Sequence, residues 1–371
     1  MKWSFRIGRI SGIDVYVHFT FLLLLGFIVI ANLGREGGGL HVALREGAFI
    51  LTVFGIIVLH ELGHAVAAQR YGIRTRDITL LPIGGVARLE RMPDDPRQEL
   101  VVALAGPAVN VVLALGLYLG TVGAGRIIAD EGLLSGTFVQ RLFWVNVWLV
   151  LFNMLPAFPM DGGRVLRAIL AMWMDYVRAT QIAAQIGQAM ALMFGFIGLL
   201  FSPLLAFVAL FVWIGAAQEA SVVQMRAALS GIPVEKAMIR EFHTLSPRDT
   251  LGVATGHILN GFQQDFPVLD DGRLAGVLTR ADLLAALAER GATAPVGEVM
   301  KRDIATAEPN EMLEHALARL DQCACPALPV VRNGGVVGIL TSENIGEFVM
   351  IRSALRGARN VRPEAPPGKA V

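Results

Sequence analysis

The chain has 371 residues, of which 54% are hydrophobic and 17% are charged, and its formal net charge is +1. Soluble domains average roughly 45–50% apolar and about 25% charged residues, so a single soluble globule and a disordered chain are both excluded, and the net charge gives no reason to expect a nucleic-acid partner. The first 230 residues hold 31 charged side chains and the last 141 hold 32. An apolar N-terminal part therefore precedes a domain of ordinary polarity.

Six apolar segments together occupy about half of the first 217 residues. A membrane-spanning helix needs about 20 mostly apolar residues, and the segments that reach or approach this length are 15–33, 48–68, 100–120, 143–155, 182–200 and 204–217. Buried helices of a soluble core would account for one or two such segments, not for six. We predict six spans, or five if the last two, separated mainly by a Phe-Ser-Pro turn, form one re-entrant hairpin.

Positive charge predicts the orientation of these spans, because cytoplasmic segments of membrane proteins carry an excess of Lys and Arg. Twelve such residues precede the first span or follow the second and fourth: Lys2, Arg6, Arg9, Arg70, Arg74, Arg76, Arg88, Arg91, Arg97, Arg164, Arg167 and Arg178. The opposite loops hold Arg35, Arg45, Arg126 and Arg141. The sequence predicts a cell-membrane protein with a cytoplasmic N-terminus and C-terminal domain, and a first span that is retained because it is too long for a signal peptide and has no small-residue cleavage site.

The second span carries three ionisable side chains, His60, Glu61 and His64. Such residues each cost roughly 2.5–3.5 kcal/mol on membrane-insertion scales, so a functional role is the default interpretation. Residues i and i+4 share one helical face, so His60 and His64 can bind one zinc ion. Glu61 is displaced by about 100° around the helix; in zinc hydrolases the metal acidifies water and a carboxylate passes the proton to the leaving amine. The alternative is a pair of histidines hydrogen-bonded between helices.

A catalytic zinc site keeps three protein ligands and one open position, so a third ligand must come from elsewhere. Asp161 has the stronger context, because Pro156, Pro159 and two glycines interrupt the helix around it. Interrupted backbone at membrane depth is tolerated only where protein or a water-filled cavity satisfies it, and this segment can turn Asp161 back toward the metal. His18, in the first span, is the second candidate, but a position near the membrane interface explains it without a ligand role.

The motif His60-Glu61-Leu-Gly-His64, followed by Asn153-x-x-Pro-x-x-Pro-x-Asp161-Gly-Gly, resembles the site-2 protease family of intramembrane zinc metalloproteases, the M50 type. Both motifs occur in the order of that family and in separate spans. The resemblance implies that His60, His64 and Asp161 are zinc ligands, that Glu61 is the general base and that Asn153 stabilises the oxyanion. From the residues alone, Asn153 is an amide donor suited to that role or a partner in an interhelical hydrogen bond.

Two segments between these motifs are similar to further stretches of the same family. Residues 80–89 are apolar around Gly84 and Gly85, which predicts a hairpin or re-entrant loop with open backbone edges. The resemblance implies that such an edge binds substrate by strand addition, with Gly84 and Gly85 as substrate-binding candidates; a packing loop is the alternative. In Gly106-Pro-Ala-Val-Asn110, small residues favour close helix packing, and Asn110 is a weaker site candidate.

Residues 233–349 contain an internal repeat with a shift of 62 positions. Met238 corresponds to Met300 and Gly276 to Gly338, without a gap. Each unit is predicted to be helix, strand, turn, strand and helix, which in the first repeat cover 251–261, 266–270, 274–278 and 281–289, and the Asp-Gly and Asn-Gly-Gly turns favour hairpins. The repeat resembles a tandem pair of CBS domains that together form one adenosine-binding module.

The CBS resemblance implies that a Thr-x-x-Asp pair contacts the ribose and phosphate of a nucleotide. Thr279 and Asp282 match this pattern, and a carboxylate can accept from both ribose hydroxyls while a threonine donates to phosphate. The second repeat has Thr341 and Asn344, so its site is expected to bind more weakly or not at all. The alternative for both threonines is a helix N-cap.

These features predict a multi-pass α-helical membrane protein of about six transmembrane helices with a C-terminal α/β module of tandem CBS domains. The predicted boundaries are 1–225 for the transmembrane zinc metalloprotease domain, 233–290 and 295–350 for the two CBS domains, and 352–371 for a disordered tail whose basic residues can contact lipid. Cys323 and Cys325 lack nearby partner ligands and are predicted to be buried thiols.

The predicted function is regulated intramembrane proteolysis, in which one catalytic Zn²⁺ serves hydrolysis and ATP or AMP regulates through the CBS pair. The expected partners are a transmembrane protein substrate, such as an anti-sigma factor or a membrane-bound pro-protein, the lipid bilayer, and a second copy of the chain joined through CBS domains. The alternative, a CBS-regulated transporter or channel, predicts symmetric halves and paired polar residues along several spans, which the sequence lacks. A second alternative, a catalytically inactive membrane scaffold, predicts a damaged zinc motif, whereas all the ligand positions are intact in this sequence.

Overall fold

The computed structural model describes residues 3–34, 39–82, 84–90, 92–93, 95–125, 136–323 and 325–361. The chain divides into two compact units, Met1–Val223 and Gln224–Val371. Lys2, Arg35, Arg91 and Arg126, which enter the charge count above, and the last ten residues of the predicted tail lie outside the described residues.

The first unit contains a four-stranded sheet in the order β1 (Ser4–Ile10), β2 (Ile13–His18), β3 (Thr75–Leu81) and β4 (Gly84–Leu89). Strands β2 and β3 are parallel, and the other neighbouring pairs are antiparallel. The predicted hairpin at 80–89 is confirmed. The predicted start of the first span at residue 15 is wrong: Ile13, Val15 and Val17 are buried on one face of β2, the alternation typical of a strand.

The rest of the first unit is helical: α1 (Phe19–Leu33), α2 (Leu40–Gln69), α3 (Pro96–Gly123), α4 (Phe138–Asn153), α5 (Asp161–Ala171), α6 (Tyr176–Phe201) and α7 (Pro203–Leu229). Among the described residues, α2, α3, α6 and α7 are long and apolar enough to cross a membrane, and α1 and α4 are shorter apolar helices. The predicted helical membrane protein is confirmed, and four of the six predicted spans have full spanning length.

Helices α2 and α3 pack against each other. This contact positions the candidate functional site that is described in the next section. Ala68 of α2 packs with Val102 of α3. A Cβ atom at Gly63 of α2 would lie 2.7 Å from the Ala105 carbonyl oxygen of α3. Small side chains let two helix backbones approach closely, which is the usual packing of helices in membranes. α2 also contacts α1, β3 and β4, so the helix that carries the His-Glu-x-x-His motif lies at the centre of the first unit.

The segment between α4 and α5 is irregular, as the two prolines predict. Proline lacks the N–H that a helix needs and clashes with the preceding turn, and α4 ends at Asn153 while α5 begins at Asp161. Ala157, Phe158 and Met160 of the intervening segment are buried. Helix α5 packs against α3 and α6, so the interruption places Asp161 inside the unit, at the first position of a new helix.

The second unit consists of two similar halves. The first contains α8 (Leu251–Asn260), β5 (Phe266–Asp270), β6 (Arg273–Leu278) and α9 (Arg280–Arg290), and the second contains α10 (Leu313–Cys323), β7 (Ala327–Arg332), β8 (Gly335–Thr341) and α11 (Ser342–Val361). Short 3-10 helices at Val234–Lys236 and Val296–Glu298 precede the halves. Both strand pairs are antiparallel hairpins, which confirms the predicted elements.

The two halves exchange their leading segments. Ile239, which precedes the first half, pairs with Ile339 of the second hairpin, and Lys301, which precedes the second half, pairs with Val277 of the first hairpin. Both pairs obey the 62-residue shift of the sequence repeat. Each half therefore needs the other to complete its hairpin, and the two repeats form one module.

Helix α11 continues past the predicted end of the second CBS domain. Residues 352–361, which the sequence assigns to a disordered tail, are helical. Phe348 and Val349 pack against the core of the second half, and the Arg352 side chain donates to the Ala228 carbonyl at 3.5 Å. These contacts hold the helix beyond the end that composition alone suggests.

The prediction of two buried thiols is wrong. Cys323 and Cys325 are joined by a disulfide, and Cys323 is exposed. Cys323 is the last residue of α10 and Cys325 precedes β7. Their Cα atoms are 5.1 Å apart, within the range that a disulfide spans.

Phe266 and Phe262 provide a matched test of the first CBS core, since Phe266 has no exposed surface and Phe262 is fully exposed. We expect Phe266→Ala to lower the free energy of unfolding by about 3–5 kcal/mol, because it leaves a cavity in a close-packed core. We expect Phe262→Ala to change it by less than about 0.5 kcal/mol. Pulse proteolysis of the full-length protein in detergent and urea measures both values; equal losses in the two variants would contradict this packing.

Candidate functional site

Three buried side chains from two helices converge on one point. His60 and His64 lie one turn apart on α2, and their Nε2 atoms are 3.2 Å apart. Each Nε2 lies 3.1 Å from Oδ2 of Asp161, the first residue of α5. Among the described residues, these three form a group whose ligand atoms could hold a metal ion.

The other ring nitrogen of His64 fixes its protonation. His64 Nδ1 lies 2.7 Å from the backbone carbonyl of Val102 in α3. A carbonyl oxygen only accepts hydrogen bonds, so Nδ1 carries the hydrogen and, in a neutral ring, Nε2 presents a free lone pair. This is the tautomer that a metal ligand requires.

A chain of buried amides fixes His60 in the same way. Asn146 Nδ2 donates to the Leu142 carbonyl at 2.9 Å, and Asn110 Nδ2 donates to Asn146 Oδ1 at 2.9 Å. Because the last acceptor is a carbonyl, the direction of the whole chain is set. Asn110 must then turn its Oδ1 toward His60 Nδ1, at 2.5 Å, which leaves His60 Nε2 unprotonated in a neutral ring.

The sequence reasoning missed Asn146 and ranked Asn110 low, although both are fully buried. The available signal was an amide side chain within each of two apolar segments, which is unfavourable unless it has a partner. What could not be read from the sequence is that the two amides lie side by side and end on a histidine.

The three converging atoms fit a metal ion. Two imidazole lone pairs and a carboxylate oxygen repel one another unless a cation lies between them. A tetrahedral ion with bonds of about 2.0–2.1 Å has ligand atoms about 3.3 Å apart, close to the separations of 3.1–3.2 Å observed here. Two histidines and one carboxylate are a donor set typical of catalytic zinc.

Gly106 lets α3 approach the histidine rings. A Cβ atom at this position would lie 2.8 Å from His60 Nε2 and closer still to the His64 ring. No real side chain can occupy that space without displacing a ring. The glycine of Gly106-Pro-Ala-Val-Asn110 therefore leaves room for the two histidine rings and also permits close helix packing.

Glu61 lies beside the cluster and against the edge of the sheet. Its Oε2 accepts a hydrogen bond from the Ala87 N–H of β4 at 3.3 Å. A Cβ atom at Gly85 would lie 2.9 Å from Glu61 Cγ, so glycine is needed where β4 passes this side chain. β4 is an end strand of the sheet, and the predicted substrate-binding residues Gly84 and Gly85 thus begin a strand that runs past Glu61.

The remaining residues predicted for this site lie at its edge or elsewhere. Asn153, the last residue of α4, donates through Nδ2 to the Leu149 carbonyl of its own helix at 2.9 Å. His18 caps α1, where its Nδ1 accepts from the Thr20 N–H at 3.3 Å. Of the two candidates for a third ligand, the structure brings Asp161 and not His18 to the histidines.

A cleft of about 470 Å³ lies in the second unit, and both CBS repeats line it. Thr279 contributes from the first repeat, and Lys301 and Asp303 contribute from the leading segment of the second. Thr279 caps α9: its Oγ1 accepts from the Asp282 N–H at 3.2 Å and donates to Asp282 Oδ2 at 2.5 Å. Lys301 Nζ lies 3.1 Å from the same carboxylate oxygen. Thr279 and Lys301 thus line the cleft, and Asp282 contacts both of them without lining it.

The corresponding residues of the second repeat, Thr341 and Asn344, show only part of this arrangement. Thr341 Oγ1 accepts from the Asn344 N–H at 3.1 Å, as a capping threonine does. Asn344 Oδ1 is buried and accepts no hydrogen bond from any described residue. Neither residue lines the cleft that contains Thr279.

Comparison with known proteins matches both units. The family profile of Peptidase family M50 covers residues 48–126 and 126–194, and the CBS domain profile covers 234–289 and 296–350. A zinc metalloprotease of Methanocaldococcus jannaschii is 32% identical over 348 residues, which are 93% of this chain and 96% of that protein.

Two solved structures are similar to separate parts of the chain. The site-2 protease from Methanocaldococcus jannaschii shares 36% identity, covers 59% of this chain and 95% of its own, and has a TM-score of 0.43. A CBS domain pair solved in complex with 5′-methylthioadenosine and S-adenosyl-L-methionine shares 27% identity, covers 32% of this chain and 98% of its own, and has a TM-score of 0.30.

A helical membrane protein with a buried His-His-Asp cluster and an adjacent glutamate has the site of a metallohydrolase. The near full-length relative specifies this class further: the chain belongs to peptidase family M50, the site-2 protease family of zinc metalloproteases, and carries a pair of CBS domains. The family match favours the peptidase over the transporter or channel alternative.

Gly106→Ala tests the close approach of α3 to the cluster. We expect this variant to lose most of its bound metal, because a methyl group would displace the histidine rings from their common point. Gly116→Ala is the control, since it lies on the same helix with no atom near its Cβ position. Elemental analysis of the purified proteins measures the metal content; a fully loaded Gly106→Ala protein would contradict the geometry described here.

Proposed function

We propose that this protein is an intramembrane zinc endopeptidase that cleaves transmembrane segments of membrane-tethered proteins. The observation that carries the proposal is the convergence of His60, His64 and Asp161 beside Glu61, on helices whose other side chains are mostly apolar. Membership in a peptidase family supports hydrolysis of peptide bonds, and the location of the motif in a helix of spanning length supports cleavage within the membrane.

In this proposal His60, His64 and Asp161 hold one zinc ion, and Glu61 is the general base. Zinc, when bound at such a site, lowers the pKa of water and polarises a carbonyl group. Glu61 then accepts a proton from the attacking water and delivers it to the leaving nitrogen of the cleaved bond. The hydrogen bonds of the two Nδ1 atoms to Val102 and Asn110 keep both rings aligned during the reaction.

The edge of β4 is the proposed substrate-binding site. A transmembrane helix has its backbone hydrogen bonds within itself, so the segment to be cut must unwind and needs new partners. An extended segment can add to the free edge of β4. Ala87 of this strand bonds to Glu61, so a substrate strand that follows Gly84 and Gly85 is brought to the general base.

Asn153 is the proposed oxyanion donor. One of its two amide hydrogens is used within α4, and the other remains to stabilise negative charge on the carbonyl oxygen. Its place at the end of α4, next to the interrupted segment that leads to Asp161, supports this role.

The proposed orientation places the N-terminus and the CBS pair in the cytoplasm, with the substrate cut near that face. The excess of Lys and Arg in the corresponding segments supports it. Arg167 does not contribute to the excess, because it is fully buried and paired with acidic residues. Membrane-tethered signalling proteins, such as an anti-sigma factor or a membrane-bound pro-protein, are the proposed substrates.

Regulation by an adenine nucleotide is the proposed role of the CBS pair. Thr279 and Lys301 line the cleft and are suited to bind phosphate, and Asp282, which contacts both, is suited to accept from ribose hydroxyls. Thr341 and Asn344 form the proposed second and weaker site, because an amide replaces the carboxylate. Association of two CBS pairs into a homodimer is proposed from the family resemblance.

Glu61→Gln tests the proposed mechanism. We expect the variant to keep its zinc and to lose cleavage of a helical membrane substrate by about 10²–10⁴-fold, since only the proton-transfer group is removed. His64→Ala provides the contrast, because it should lose both zinc and cleavage. Zinc analysis, a cleavage assay in liposomes and mass spectrometry of the products measure these effects. Retained cleavage by Glu61→Gln, a wild-type protein without zinc, or a cut outside the apolar segment would overturn the proposal.

Asp282→Ala and Asn344→Ala test the proposed nucleotide sites. Loss of a hydrogen bond to a charged acceptor costs about 1.5–3 kcal/mol. We therefore expect Asp282→Ala to weaken ATP or AMP binding by about 10- to 100-fold. Asn344→Ala should change the affinity little. Calorimetry on the full-length protein in detergent measures both. Equal and unchanged affinities in the two variants would argue against ribose binding by Asp282.

A further inference from the structure

A second buried cluster of ionised side chains lies next to the metal site. Arg167 of α5 has no exposed surface. Its Nε and Nη2 atoms donate to Glu99 Oε1 of α3 at 2.8 and 2.5 Å, and its Nη1 donates to Glu219 Oε1 of α7 at 2.5 Å. One guanidinium group thus connects three helices of the first unit.

Aromatic rings complete the surroundings of this guanidinium. The Arg167 Cζ atom lies 5.0 Å from the ring centroids of both Phe158 and Tyr176, which is within the range of a cation–π interaction. Phe158 belongs to the buried segment that precedes α5, and Tyr176 begins α6. Arginine can use its planar fork and its ring-stacking faces together, and lysine cannot.

This cluster connects the helix that carries Asp161 to the helix that orients His60 and His64. Arg167 and Asp161 lie on the same short helix, six residues apart. Glu99 lies on α3, together with the Val102 carbonyl and the Asn110 amide that orient His64 and His60. The Arg167–Glu99 pair therefore fixes the helix that carries the carboxylate relative to the helix that orients the imidazoles.

Stability alone does not explain this cluster. Charges are unfavourable between apolar helices, and apolar residues that fill the same space are often as stable or more stable. A buried ion pair does differ from an apolar contact in one respect, because its hydrogen bonds are satisfied in a single register of the two helices. A metal ligand on a short helix needs such a fixed register.

We propose that Arg167 is a positioning residue for the metal ligand Asp161, acting through its ion pair with Glu99. The inference rests on the proposed role of His60, His64 and Asp161 as zinc ligands. Arg167 does not contact the cluster atoms or the substrate; it holds Asp161 Oδ2 at the point where the two Nε2 atoms meet.

The test compares Arg167→Met with Arg141→Met in the full-length protein. Arg141 is a matched control, because its Nη1 and Nη2 atoms donate to the two carboxylate oxygens of Glu46 at 2.8 Å and its Cζ lies 3.8 Å from the centroid of Phe49. That pair joins α4 to α2, away from the His60–His64–Asp161 cluster. Competition with a fluorescent chelator measures the zinc Kd, and circular dichroism measures helix content and Tm.

We expect both variants to melt at a lower temperature and Arg167→Met alone to bind zinc about 10- to 100-fold more weakly, the effect typical of lost ligand orientation. Arg167→Lys should recover only part of the affinity, because it keeps the charge but not the fork. The double variant Glu99→Gln with Arg167→Met leaves no unpaired charge at this pair, so it provides a folded protein if Arg167→Met alone does not fold, and its zinc affinity should also be reduced.

Folded Arg167 variants with the wild-type zinc Kd would overturn the inference, and so would an equal loss of affinity in Arg141→Met, since that would reflect general loosening of the helices. In both cases a wild-type protein that binds zinc and cleaves its substrate leaves the proposed function intact. A wild-type protein that binds no zinc overturns the proposed function itself and this inference with it.

Discussion

The first unit is organised around the need to satisfy polar atoms that are buried between apolar helices. Three lone-pair-bearing atoms, from His60, His64 and Asp161, face one another at 3.1–3.2 Å. Binding of a metal ion by these atoms requires neutral histidines with hydrogen on Nδ1, and the Val102 carbonyl and the Asn110 amide oxygen place the hydrogen on Nδ1. The close contact of α2 with α3 follows from this requirement, because an unpaired polar atom in such surroundings is costly.

The proposed cleavage of transmembrane helices also poses a problem of backbone hydrogen bonding. The peptide bonds of a transmembrane helix are already hydrogen-bonded, and an unwound segment in lipid has no partners. The sheet of the first unit provides an end strand, β4, at the side chain of Glu61. In the proposed function, a strand edge and the general base thus lie side by side, which gives the sheet a chemical role in a unit that is otherwise mostly helical.

The CBS pair combines symmetry of the backbone with asymmetry of the side chains. The exchange of leading segments makes each half depend on the other. The cleft described above is lined from both repeats, yet only the first repeat has the carboxylate, Asp282, paired with Lys301. The two proposed nucleotide sites of this duplicated fold are therefore unequal, and the proposed regulation acts through the one that contains Asp282.

The sequence by itself determined the local and the repeated features: the shared helical face of His60 and His64, the break before Asp161, the apolar helices and the two CBS repeats. These depend on spacings of a few residues or on a fixed shift, which the chain carries within itself. The tertiary structure decided which distant groups meet, among them Asp161 rather than His18 at the histidines, Asn146 behind Asn110, and Glu99 against Arg167. It also decided that residues 13–18 are a strand, because β2 forms only against β1 and β3. The physical reason is that a hydrogen bond or an ion pair between segments dozens of residues apart depends on how helices and strands pack, and no local spacing encodes that packing.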